Sequence, residues 1–540
     1  MRVIPRPFLA LAAALVVACP LRAQRTLPDL RAEATASSEV ERYLRVLQVS
    51  GQAPLYPWSI RAFSPAEVDR LVPDSAAHPW AARLAPAADS AAAKGGPQLQ
   101  MLRPGLQAIY NTAYPQGMND GAIWAGRGGT VAATAGFALR WGVLGVRVEP
   151  MVVWAQNRSF DLMANGQADS LRFADPENPR TIDLPQRFGD GAFTRLDPGQ
   201  STARIDVKGF AAGVSTANQQ WGPTADFPLL LGTNAAGFPH AFLGTSNPWN
   251  VGIGRIHGRL VWGSLSQSDF SSMPEDSSRR FMTGIMGVFM PRGLNGLEIG
   301  GARFFHTLWP EGGLTFDDFL EPFNALFKQN VPETGEGPDD RSSADNQLAS
   351  VFARWVLPSA GFEAWAEYAR EDHSWDLQDL LLEPDHFAAY TLGARKVWRR
   401  GTSLVSVRGE LVEAQPSNLL NVRNQGRFYR HAFTRQGHTV GGQILGSPAA
   451  YGGAGSVLMV EKYMPGGHWS FDWTRNRVRG LATPTGSTGV DVVHSLGAQG
   501  VLFTGRADLT GGLRASYELN RNGGEDAWNL GLTIGARIGF

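Results

Sequence analysis

Cysteine is nearly missing from this 540-residue chain, which holds a single thiol at Cys19. Once the first residues are removed, the remainder has none. That excludes disulfides, thiolate metal sites and cysteine nucleophiles. Long apolar runs are missing too. Beyond residue 23 no stretch of 18 or more apolar residues occurs, so no helix here spans a bilayer. A β-barrel needs no such run, because it crosses on strands. Charge of either sign is also scarce. Forty-nine basic residues balance 49 acidic ones, and charged residues make up only 18% of the chain. There is no basic patch of the kind a phosphate backbone demands, so nucleic acid is excluded as a partner.

What is present begins with MRVIPRPFLALAAALVVACPLRAQ. Arg2 and Arg6 form a positive n-region, Phe8 to Ala18 form an apolar run, and small residues follow. This is the anatomy of a secretory signal, with cleavage expected after Ala23. The rival is the lipoprotein-like Val16-Val17-Ala18-Cys19, which Pro20 makes awkward. Glycine is abundant at 63 residues, and aromatics reach 10%. Both suit a wide barrel with one surface facing lipid.

The chain then shows two grammars. Residues 24–97 read as a small helical region outside the membrane. In SSEVERYLRVLQVSG, Ser37 or Ser38 can cap, while Val40, Tyr43, Leu44 and Leu47 share one helical face and Gly51 ends it. In FSPAEVDRLV, Ser64 is the N-cap, Pro65 opens the helix, Glu67 completes a capping box, and Phe63 and Val68 hold the staple positions. PWAARLAPAADSAAAKGG reads as a short helix and a linker.

From residue 98 to 540 the period becomes two. In TVAATAGFALRW, Val131, Phe137, Leu139 and Trp141 alternate with Thr130, Thr134 and Arg140. In GIGRIHGRLVWG, Arg255, His257 and Arg259 oppose Ile256, Leu260 and Trp262. In FEAWAEYA, Glu363, Trp365 and Glu367 oppose Phe362, Ala364, Ala366 and Tyr368. A soluble sandwich alternates as well. Two features favour an antiparallel transmembrane β-barrel, an all-β membrane fold. The apolar faces end in aromatics at Trp141, Trp154, Trp262, Trp355 and Tyr368. Short turns such as WGVLG and LPSAG also alternate with long polar stretches near 156–200, 306–347, 414–436 and 474–490. The final segment, WNLGLTIGARIGF, alternates to its end at Phe540. A last strand that closes against the first needs no polar tail, and a terminal Phe resembles the signal read by the outer-membrane barrel assembly machinery.

Three stretches carry a family resemblance. They are PLYPWSIRAFSPAEVDRL, residues 218–244 (NQQWGPTADFPLLLGTNAAGFPHAFLG) and residues 429–456 (YRHAFTRQGHTVGGQILGSPAAYGGAGS). Together they resemble the Wzi-type capsule assembly family, and the resemblance covers nearly the whole chain after the signal. Thr224 stands where a second glycine is expected, and Phe433 where tyrosine is frequent. The resemblance implies a monomeric outer-membrane barrel of about 18 strands with a small periplasmic helical region. It also implies a non-catalytic lectin that holds capsular polysaccharide or exopolysaccharide at the cell surface.

A glycan site needs aromatic faces for sugar C–H surfaces and planar donors for hydroxyls, and arginine adds a fork that matches a carboxylate. NVRNQGRFYRHAFTRQGH carries four arginines and two histidines without one acid. Candidate ligand-binding residues are therefore Arg423, Arg427, Tyr429, Arg430, His431, Arg435 and His438, together with Trp221. The loop aromatics Trp309, Phe316 and Phe319 are also available. The bland alternative is that lumen arginines pair with lumen carboxylates such as Glu363, Glu367, Glu410 and Glu413. WGPTADFPLLLG is loop-like, since Pro223 and Pro228 exclude a central strand. It either plugs the barrel or faces the sugar, and Gly222-Pro223 equally makes a plain turn.

No metal or cofactor is expected. His431 and His438 lie seven apart, whereas same-face neighbours on a strand are two apart. Asp372-His373-Ser374 superficially suggests a hydrolase, but adjacent residues on an extended chain point apart, and there is no G-x-S-x-G element. The expected function is polysaccharide binding in the outer membrane, with lipid around the barrel, long loops outside and helices periplasmic. The alternative is a porin or sugar-uptake channel on the same barrel.

Overall fold

The computed structural model describes residues 30–73, 77–85, 96–323, 346–371, 377–416, 426–479 and 490–539. The signal segment, Cys19, Arg423, Asp372-His373-Ser374 and Phe540 lie outside them.

The region after residue 97 closes into a single antiparallel barrel of 18 strands among the described residues. In chain order they are β1 (Gln98–Asn111), β2 (Gly128–Trp141), β3 (Leu144–Val148 with Met151–Ala155), β4 (Phe193–Asp197 with Thr202–Val207), β5 (Phe210–Ser215) and β6 (His240–Thr245 with Trp249–Asn250). Then come β7 (Gly254–Ser266), β8 (Arg279–Pro291), β9 (Leu297–Leu308), β10 (Asn346–Leu357), β11 (Phe362–Glu371) and β12 (Ala388–Arg400). The last six are β13 (Ser403–Glu413), β14 (Ala454–Met464), β15 (Gly467–Arg479), β16 (Asp491–Phe503), β17 (Ala507–Leu519) and β18 (Ala527–Ile538). Each strand pairs with its neighbours, and β18 returns to β1 with Gly105 opposite Arg537 and Asn111 opposite Gly531. Closure leaves no unpaired edge, the condition for a sheet in lipid. No described helix is long and apolar enough to cross a membrane.

Alternation decides which side faces lipid. Leu99, Leu106, Leu513, Leu530, Leu532 and Ile534 are exposed on the outer wall, as are Trp141, Trp154 and Trp355. On β11 the other parity points inward, and Glu363, Trp365 and Glu367 are buried in the lumen. Strand β3 breaks at Glu149-Pro150, where proline has no N–H to give the ladder. The long connections are shorter than the sequence suggests at two places. Residues 193–200 and 474–479 belong largely to strands, because their neighbours offer complete ladders there.

Among the described residues the helical region holds helices α1 (Glu39–Val49), α2 (Pro65–Leu71) and α3 (Ala81–Leu84), and residues 86–95, most of the stretch read as a short helix and linker, lie outside them. Ser38 caps α1, and Ser64 and Glu67 form the capping box of α2. Its location differs from a separate appendage. It is lodged in the barrel mouth at the short-turn end, where Tyr43, Leu44, Leu47, Trp58 and Trp80 pack with Val356, Val397, Leu404 and Tyr463 of the strand ends. Arg45 Nε lies 2.9 Å from Glu363, and Arg354 and Arg395 reach the same carboxylate at 2.7 and 3.1 Å. A buried carboxylate facing three guanidiniums must be tied to them, because an unpaired charge there is too costly.

Two long connections fold inward from the other end. Residues 216–239 and 426–453 make a plug whose core holds Trp221, Phe227, Leu229, Leu230, Tyr429 and Leu445. The plug joins the helical region through a two-residue ladder, Ile60 opposite Trp221 and Arg61 opposite Gln220. It joins the wall through Glu410, whose carboxylate accepts from the consecutive N–H groups of Ala225, Asp226 and Phe227 at 2.7, 3.0 and 2.7 Å. Thr439–Val440 and Gln443–Ile444 form a tight hairpin inside the plug. Its corner, Gly441-Gly442, has both φ values positive, which a mirror-image turn requires.

Candidate functional site

The structure divides the arginine- and histidine-rich stretch rather than presenting it as one cationic surface. Tyr429 is completely buried and donates its hydroxyl to the Leu229 carbonyl at 2.6 Å. His438 stacks against it and donates Nε2–H to the Leu230 carbonyl at 2.5 Å. Burial holds the His438 imidazole down to about 3, so it carries no charge for an anion. His431 accepts from the Thr434 N–H at 2.9 Å and is buried. Trp221 is wholly buried, with its Nε1–H turned to Gln219. Trp221, Tyr429 and His438 therefore serve packing, because their side chains are wholly covered, and His431 is turned inward to cap Thr434. The WGP stretch has a matching reason. Gly222 sits at φ +89°, and a Cβ there would lie 2.4 Å from Glu367.

Arg427, Arg430 and Arg435 remain nearer the surface. Arg427 ion-pairs with Glu177, and its guanidinium covers the Tyr451 ring at 5.3 Å. Arg430 donates to Asn178 at 2.8 Å, and Arg435 is exposed. The charge expected of this stretch is thus partly met by residues 175–180 of another loop, which sequence separation concealed. Among the loop aromatics, Phe319 packs on Phe281 and Trp262, Trp309 packs on Phe281 under Arg279, and Phe316 is exposed.

Arg427 lines a cavity of about 270 Å³ at the long-loop end of the barrel. Trp124 supplies aromatic surface and Tyr451 the little its 6% exposure leaves, Gln116, Asn234 and Gln443 supply amides, and Asp120 and Asp175 supply carboxyls. The positions are fixed by backbone contacts between segments. Gly121 N–H donates to Thr233 O at 2.7 Å, and Asn234 donates to Ile444 O at 2.9 Å. Tyr451 is oriented by Asn178, whose amide donates to the phenol oxygen at 3.0 Å. Trp124 is braced edge-on by Phe188 at 5.1 Å. Burial pushes the Asp120 carboxyl up to about 6. Aromatic faces, amides and one arginine in a half-open pocket are what sugar recognition needs. The sequence signals missed were Trp124, in the loop between β1 and β2, and Tyr451, which lies within the resemblance stretch but has no charged neighbours. The described residues contain no cluster of metal-ligating side chains.

The closed wall, buried polar lumen and outward apolar girdle define an outer-membrane β-barrel. No protein-family model matches the sequence, and neither does any curated protein. Among solved structures, Wzi of Escherichia coli aligns with a TM-score of 0.62 at 12% identity, covering 94% of this chain and 99% of that one. It is described as an outer-membrane protein involved in group 1 capsule assembly and a carbohydrate-binding β-barrel. At that identity the likeness shows the fold alone. OccAB2 of Acinetobacter baumannii aligns at TM-score 0.39 and 9% identity over 81% of this chain and 96% of that one. OccK2 (OpdF) of Pseudomonas aeruginosa, in complex with glucuronate, aligns at 0.37 and 12% over 82% and 100%. Scores this low carry no argument.

Proposed function

We propose that this chain is a Wzi-type surface lectin, a non-catalytic outer-membrane protein that holds capsular polysaccharide or exopolysaccharide. The long loops face outward and the helical region faces the periplasm. The observation that carries this reading is the pocket at the long-loop end. It brings Trp124 of the β1–β2 loop to one space with Tyr451 and Arg427 of the plug, which is anchored to the wall through Glu410. Short turns at the helical end and long connections at the other fit the periplasmic and extracellular habits of such barrels. The resemblance of residues 218–244 and 429–456 supports the same assignment.

The test is a glycan array probed with the detergent-purified protein at low and moderate salt. Binding to an acidic polysaccharide that weakens with salt, and falls about tenfold in Trp124→Ala, agrees with this site; tenfold is roughly 1.4 kcal/mol. Wild-type-like binding by Trp124→Ala and Arg427→Ala would place recognition elsewhere. An array with no bound glycan would remove the lectin assignment.

A further inference from the structure

A second space lies beside the plug. It is a cavity of about 720 Å³ walled by β14 to β18 and β1. It reaches from Phe160 and Asn522 at the long-loop end to Ser37, Arg42 and Arg45 of the helical region. On β15 five successive inward residues line it: His468, Ser470, Asp472, Thr474 and Asn476. Its lining holds the aromatic rings of Tyr114 and Phe160, and Arg521 lies over them at 4.3 and 6.0 Å, so they are poor stacking platforms for a glycan chain. Its wall is largely polar and the space is far larger than one water needs, so water can fill it.

Glu41, Arg42, Arg45 and Arg61 line its helical end, and a set of ion pairs lies beyond the lining. Toward the short turns the inward register of Gln107, Gly512 and Thr533 continues to Gly105, Thr510 and Gly535, which are small. Beneath them Arg103 grips Glu33 through Nε and Nη2, at 2.5 and 2.8 Å, and reaches Asp508 at 2.6 Å. Arg83 meets Asp508 at 2.6 Å, and Arg537 lies 3.5 Å from Glu33. Glu33, in the first described turn of the helical region, is thus pinned by ion pairs to two strands, β1 and β18.

We propose that this lumen is a conduit for inorganic ions and small hydrophilic solutes, closed at its helical end by the latch of Glu33 on Arg103 and Arg537. The conduit borders the glycan pocket, since Gln116 and Asp120 line both spaces, but it uses none of Trp124, Tyr451 or Arg427. Both signs of charge line it in pairs, as Arg514 with Asp472 and Arg521 with Glu518, so weak selectivity between cations and anions is expected.

The experiment is single-channel recording of the full chain in planar bilayers in potassium chloride. The wild type should open rarely, and Glu33→Ala should raise the open fraction at least tenfold. Arg537→Gln, at a more exposed member of the latch, should raise it less and serves if Glu33→Ala fails to fold. A second measurement reads hydration directly. Thr533→Cys and Ser470→Cys should react with a charged, membrane-impermeant thiol reagent, whereas Ala302→Cys, under the plug, should not. Silent latch variants with reactive Thr533→Cys would make the lumen a blind vestibule and overturn the conduit. An unreactive Thr533→Cys would overturn the hydrated lumen itself. Loss of glycan binding in Trp124→Ala with conductance intact would keep the two functions separate.

Discussion

The two halves of the barrel wall are built by one rule and filled in opposite ways. From β7 to β13 the inward residues include Val261, Leu265, Met282, Met286, Phe304, Leu348 and Val412, and the plug packs against them. From β15 to β18 the inward residues include Ser470, Asp472, Thr474, Ser495, Arg514 and Thr533, and they face the cavity beside the plug. Outward residues are apolar on both halves. The period-two pattern therefore says which residues face lipid, while the chemistry of the other parity says what stands inside. The apolar inward residues of the plugged half require protein to cover them, and its inward charges, such as Glu363 and Glu410, are tied to protein partners, whereas the polar residues of the other half tolerate water.

That contrast can be broken first at Glu363. It is fully buried among Arg45, Arg354 and Arg395, and Glu363→Ala strands three cations on the plugged side. A loss of about 3–5 kcal/mol is expected, read as a lower midpoint of heat-induced mobility change on gels. Trp221→Ala follows, at about 3 kcal/mol, because the ring fills the plug core beneath Gly284, where even a Cβ would lie 2.7 Å from it. Its glycan profile should keep its ranking, since the ring is covered.

Binding effects come next. Arg427→Ala should lower affinity for an acidic glycan about tenfold at low salt and much less at high salt, measured by titration calorimetry. A smaller effect belongs to Asp120, whose carboxyl is pushed up to about 6. Above that pH it is an anion in the pocket, and below it is neutral. Affinity for an acidic glycan should rise as pH falls from 7.5 to 5, and Asp120→Asn should flatten that dependence. The same shift makes the folded state bind more protons than the unfolded chain between the ordinary carboxylate range and pH 6. Its contribution to stability therefore falls as pH rises through that window.

The smallest expected effect is at Asp472, the counterpart of Glu363 on the cavity side. Its partner Arg514 is partly exposed, so water replaces the ion pair, and Asp472→Ala should cost less than about 1 kcal/mol. Equal losses at Glu363 and Asp472 would erase the distinction between the halves.

Much of this was legible. The alternation in FEAWAEYA assigned Glu363, Trp365 and Glu367 to one face, and all three are inside. The capping box at Ser64 and Glu67 was readable because its atoms lie within one turn. The site was less so. Tyr429 and His438 looked like ligands because tyrosine and histidine have the right chemistry, and nothing local reveals that Leu229 and Leu230 cover them. Arg427 looked unopposed because Glu177 is 250 residues away.

Strand parity, helix caps and the girdle of outward aromatics were determined by the sequence, since each depends on neighbours one to four residues apart. Only the tertiary structure decided that the helical region enters the barrel, and that two loops fold inward against β7–β13. Only it decided that a polar cavity remains along β14–β18. Those outcomes rest on contacts across the barrel, where burial turns a polar side chain into a satisfied partner, a wall for water, or a face for a ligand.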